Sequence, residues 1–124
     1  MSGTDIPDSK FYYDNGRRLM DRQCFEEAVI EFRKSAEITP HFKTFELLGE
    51  CELRLGRFSS ATEPLKKAVQ MNSGVRAASL LADSYLAIGE YDLANLAVKV
   101  ALKRDPTNRT ALRVQKALEE LMNS

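Results

Sequence analysis

Few residues in this 124-residue chain could do covalent chemistry: one histidine, His41, and two cysteines, Cys24 and Cys51. An imidazole carries protons or ligates metals, and a thiolate attacks electrophiles or ligates metals, but each role needs partners. His41 follows Pro40, and no Ser, Cys or carboxylate constellation can be set beside it, so it reads as a surface or helix-start residue. Cys24 and Cys51 lack the paired spacing of a zinc site or a redox motif. Cys51, between apolar residues, reads as a buried, inert thiol, whereas the environment of Cys24 is open. Glycines at 49, 56, 74 and 89 precede no Lys-Ser or Lys-Thr pair and build no phosphate loop. No enzyme, no cofactor and no metal site is expected.

The recurring chemistry is that of binding. Lys10, Lys43, Arg76 and Arg109 stand 33 residues apart. Each is placed at the start of a helix, against the preference of the helix dipole for acids there. Such a ladder either contacts acidic side chains of a partner or is solvated surface charge. Met20, Leu53 and Leu86 form an apolar ladder at the same spacing, and Leu47 with Leu80 a second.

That spacing belongs to the whole chain. Phe25, Phe58 and Tyr91 obey it, as do Ala28, Ala61 and Ala94, then Gly16, Gly49 and Ala82, then Ser35, Ala68 and Ala101, with Pro40, Ser73 and Pro106 closing each unit. A fixed period of this length marks units that cannot bury their apolar faces alone and must stack. The small residues allow close approach of helices, and Gly56 and Gly89 stop one helix before the next begins. Each unit is then helix, turn, helix. Start and stop signals predict helices over 9–22, 25–38, 42–55, 58–71, 75–88, 91–104 and 109–122, with Asp8 or Ser9 capping the first and a bend at Pro64 in the fourth. The last carries a stripe of Ala111, Val114, Leu118 and Leu121 with a charged back, as a terminal cap requires.

Residues 9–108 resemble the tetratricopeptide repeat family. The second unit, TFELLGECELRLGRFSSATEPLKKAV, and the third, ASLLADSYLAIGEYDLANLAVKVALKRDP, follow the family's order of Leu-Gly, Tyr, Gly-x-Tyr, Ala, Ala and Pro. The first is looser, with Asn15 in place of Leu and Gln23 in place of the turn glycine. The family's period is one residue longer. The resemblance implies an all-α fold: a right-handed superhelical stack of three helix-turn-helix hairpins, about 9–41, 42–74 and 75–108, plus a C-terminal capping helix, about 109–122. These form a single domain over 9–124, after a disordered segment over 1–8.

The resemblance also implies a concave groove lined by the first helix of each unit. Its residues would be Lys10, Tyr13 and Arg17, then Lys43, Glu46, Leu47, Glu50 and Arg54, then Arg76, Ser79, Leu80 and Asp83, with Arg113 from the cap. The version of such grooves that grips the C-terminal carboxylate of heat-shock chaperones uses Lys, Asn, Asn, Lys and Arg. Here those places hold Tyr13, Arg17, Leu47, Arg76 and Leu80, so a two-sided cradle for a carboxylate is not expected. Leu47 and Leu80 are expected to form a groove floor, because each shares its face with an acid one turn on, Glu50 or Asp83.

Eighteen basic and eighteen acidic residues cancel, so no overall field favours nucleic acid or an anionic membrane. The first ten residues are polar, which suits neither a secretory signal nor a membrane anchor and points to the cytoplasm. The expected function is that of an adaptor or scaffold binding a peptide or helix of a partner protein. The alternative is self-association into a homodimer through the first helix, where Phe11, Tyr12 and Tyr13 stand in a row.

Overall fold

The computed structural model describes residues 6–72 and 74–124. Residues 1–5, where most of the expected disordered segment falls, and Ser73 of the repeat series lie outside the described residues. Among the described residues there are seven α-helices and no strand: α1 (Ser9–Asp21), α2 (Phe25–Ile38), α3 (Phe42–Arg54), α4 (Phe58–Met71), α5 (Arg76–Ala87), α6 (Tyr91–Arg104) and α7 (Arg109–Met122). Their ends fall within one residue of the expected ones. Side chains that accept from free N–H groups start three of them. Asp8 accepts from Phe11 N at 2.9 Å, His41 Nδ1 from Lys43 N at 3.1 Å, and Asn108 from Ala111 N at 2.9 Å. The lone histidine is thus a cap, stacked on Phe42. Helix α4 continues through Pro64, which is buried.

The turns after α1, α3 and α5 are one structure made three times. Cys24, Arg57 and Glu90 donate backbone N–H groups to the carbonyls of Leu19, Glu52 and Tyr85 at 2.8, 2.8 and 2.9 Å. Gln23, Gly56 and Gly89 donate to Met20, Leu53 and Leu86. This pair of bonds ends a helix with a residue in the left-handed region. Gly56 and Gly89 take φ of 75° and 79° there, and Gln23 takes 62° with a side chain.

The turns fold α1 onto α2, α3 onto α4 and α5 onto α6, while α2 meets α3, α4 meets α5, and α7 covers α5 and α6. The small residues sit at the closest approaches. A Cβ on Gly16 would come within 2.6 Å of the Phe32 ring, and one on Gly49 within 2.4 Å of Leu65. Ala28, Ala61, Ala82 and Ala94 are wholly buried. The core runs along the stack in adjoining clusters, one around Phe32, Leu48 and Cys51 and the largest around Leu65, Leu81, Val98 and Val114. Ala111, Val114 and Leu118 of α7 are buried, but Leu121, expected in the same stripe, is exposed at the last turn of the helix.

Candidate functional site

One open cavity of about 400 Å³ collects side chains from α1, α3 and α5. Helix α1 supplies Arg17, Met20 and Asp21, the following turn and the start of α2 supply Gln23 and Phe25, α3 supplies Lys43, Leu47, Glu50 and Arg54, and α5 supplies Arg76. Six residues expected in a groove therefore meet: Arg17, Lys43, Leu47, Glu50, Arg54 and Arg76. Lys10 and Tyr13 border a second, largely apolar cavity of about 420 Å³, with His41, Lys43 and Thr44 on its other side. Ser79, Leu80, Asp83 and Arg113 line neither.

Three of the groove assignments are corrected by burial. Leu47 is only 6% exposed and packs with Ala28, Val29, Phe32, Leu48 and Cys51, so it shows the cavity only an edge. Its partner Leu80 is half-buried against the largest cluster. Glu46 is also 6% exposed. It is sheltered by Lys43 Nζ at 2.8 Å and Arg76 Nε at 3.7 Å, so its charge is compensated although desolvated. Ser79 is buried, its hydroxyl donating to the Arg76 carbonyl at 2.8 Å. An acid at a helix position thus does not mark an exposed face when a cation from the next unit reaches it.

Most cations of this surface already have partners. Lys10 pairs with Asp14 at 2.6 Å, and that hydrogen bond raises the lysine pKa. Arg76 pairs with Glu50 as well as Glu46, and Arg113 bridges α7 to Asp83 on α5 at 2.9 Å. The basic ladder is thus largely neutralised by the chain itself: Lys10, Lys43 and Arg76 are paired, and Arg109 lies exposed at the start of α7. Arg17 and Arg54 differ. Among the described residues neither has a carboxylate within 4.0 Å. Arg17 donates to the Tyr13 hydroxyl at 3.3 Å, which pushes its pKa up, and the Arg54 guanidinium lies 4.8 Å from the Phe25 ring centre.

Asp21, Gln23 and Phe25 were not foreseen at the site. Phe25 was legible only as a repeat position, and its counterparts Phe58 and Tyr91 are exposed elsewhere. No serine, threonine, cysteine or histidine is among the residues lining this cavity. Cys51 is buried, and burial pushes its thiol up to about 12, while Cys24 is half-buried at the start of α2. Among the described residues no three of His, Cys, Asp and Glu gather as a metal site would require.

No protein-family model matches the sequence. Solved structures do resemble the fold. The first TPR of Spaghetti (RPAP3), bound to an HSP90 peptide SRMEEVD, superposes with a TM-score of 0.88 at 19% identity over 97% of each chain. YrrB, a TPR protein with an unusual peptide-binding site, gives 0.85 at 20% identity over 93% of this chain and 60% of its own. PcrH in complex with the chaperone-binding region of PopD gives 0.77 at 19% identity over 92% of this chain and 90% of its own. At these identities the likeness establishes the fold and leaves the ligand open.

Proposed function

We propose that this chain, which has the fold of a tetratricopeptide-repeat domain, is a non-catalytic module that holds a peptide or helix of a partner protein along α1, α3 and α5. The three helix pairs read as hairpins of a right-handed superhelix closed by α7, and the cavity between their first helices as its concave side. The observation that carries this reading is the convergence of Arg17, Met20, Glu50, Arg54 and Arg76 from three helices on one open cavity. Charged and apolar groups at its edge suit a segment presenting both kinds of side chain. Structures of the same fold hold an HSP90 peptide and a region of PopD. A chaperone tail is not the ligand proposed here. Tyr13, Leu47 and Leu80 offer no amide to a terminal carboxylate, and Leu47 is packed in the core.

A photo-crosslinking residue, benzoylphenylalanine, tests this at two positions. In place of Asp21, exposed at the edge of the cavity, it should capture a partner segment, and in place of Lys99, exposed on α6, it should not. Capture only from Lys99 would overturn the reading. Self-association is a second reading, favoured by Phe11, which is 48% exposed and set edge-on to Tyr12 at the open end of the stack.

A further inference from the structure

The charges in the main cavity do not balance. Arg17, Lys43, Arg54 and Arg76 line it against Asp21 and Glu50. Glu50 and the buried Glu46 are already engaged by Arg76 and Lys43. The two guanidinium groups without a carboxylate, Arg17 and Arg54, come from different helices and are each held by an aromatic residue, Tyr13 and Phe25. A guanidinium fixed in this way loses little freedom on pairing, and its planar donors match a carboxylate. Beside them the cavity wall is Met20, Phe25 and an edge of Leu47.

We infer that the cavity recognises an acidic side chain next to an apolar one within an internal stretch of the partner, Arg17 and Arg54 pairing the carboxylate while Met20 and Phe25 take the apolar neighbour. This rests on the groove reading and adds the chemistry of the occupant. A free chain terminus is not required, because a side-chain carboxylate within a chain offers the two guanidinium groups the same pair of oxygens as a terminal one.

Two synthetic peptide libraries of random sequence, acetylated at the N-terminus, serve as the probe: one amidated at the C-terminus and one carrying a free acid. The protein should enrich Asp or Glu beside Leu, Ile, Met or Phe in both libraries alike. Arg17→Ala with Arg54→Ala should bind the enriched peptides about tenfold more weakly, the range expected for a lost charge-assisted hydrogen bond, and should lose the acidic preference while keeping the apolar one. Arg54→Glu should shift the preference towards Lys or Arg. Both arginines are exposed, and unchanged circular dichroism of the variants shows that they fold. Enrichment without an acidic preference, or an acidic preference that survives in the variants or needs the free acid, overturns this inference and leaves the groove reading standing. No enrichment by the wild-type protein overturns both.

Discussion

Truncating Leu47 separates a core residue from a groove residue. Its side chain is 6% exposed and touches a cluster drawn from α2 and α3. Leu47→Ala removes three buried carbon groups, at about 0.8 kcal/mol each for transfer, and leaves part of a cavity behind, which brings the cost to about 3 kcal/mol. Leu47→Asp also places an unpaired carboxylate among Val29, Phe32 and Cys51, and should cost about 5 kcal/mol. A domain of this size holds roughly 5–15 kcal/mol in all, so Leu47→Asp would remove between a third and the whole of its stability. Leu80 is half-buried, and Leu80→Ala should cost about 1–1.5 kcal/mol. Urea titration followed by far-ultraviolet circular dichroism reads these differences, with the slope unchanged between variants. A Leu47→Ala cost below about 1 kcal/mol, or a larger one for Leu80→Ala, would refute the assignment of Leu47 to the core.

Gln23→Gly should stabilise the protein by about 0.5–1 kcal/mol, because relief of a side chain from φ of 62° outweighs the greater freedom of glycine in the unfolded chain; thermal melts of Gln23→Gly and Gln23→Ala check it, and a loss in the glycine variant would contradict it. Cys24 should react with a thiol reagent in the folded protein and Cys51 only after unfolding. Burial raises the folded Cys51 pKa from 9.0 to about 12, so its contribution to stability is full below 9.0 and lost as pH rises towards about 12; Cys51→Ala should flatten that alkaline decline, and an unaltered decline would show another cause. If the open end of the stack mediates assembly, sedimentation should show a dimer at micromolar concentration that Phe11→Glu converts to monomer. Phe11 is the better choice than Tyr13, which packs edge-on against Phe32.

The fold was legible because its determinants repeat. Gly16, Gly49 and Ala82 lie where helices nearly touch, and Gly56 with Gly89 supplies the left-handed turn that Gln23 copies under strain. A contact made three times leaves its mark three times in the sequence. Faces of α3 were less legible, for a physical reason. Glu46 reads as an exposed residue on local grounds, yet Arg76 of the next unit and Lys43 bury it, and Glu52 is buried likewise beside Arg57 and Arg33. Pairing across units decides those faces, and periodicity records position without recording partners. For the same reason the basic ladder could be counted but not read as neutralised. Arg17 and Arg54, the two cations lining the cavity that have no carboxylate within 4.0 Å among the described residues, belong to no ladder at all.

Whether a partner segment lies along α1, α3 and α5 can be read from backbone amide shifts in nuclear magnetic resonance as the segment captured at Asp21 is titrated in. The perturbed amides should gather on α1, α3 and α5, with the largest changes around Arg17, Glu50, Arg54 and Arg76. Changes gathered instead on α2, α4 and α6, with those four positions unmoved, would contradict that placement.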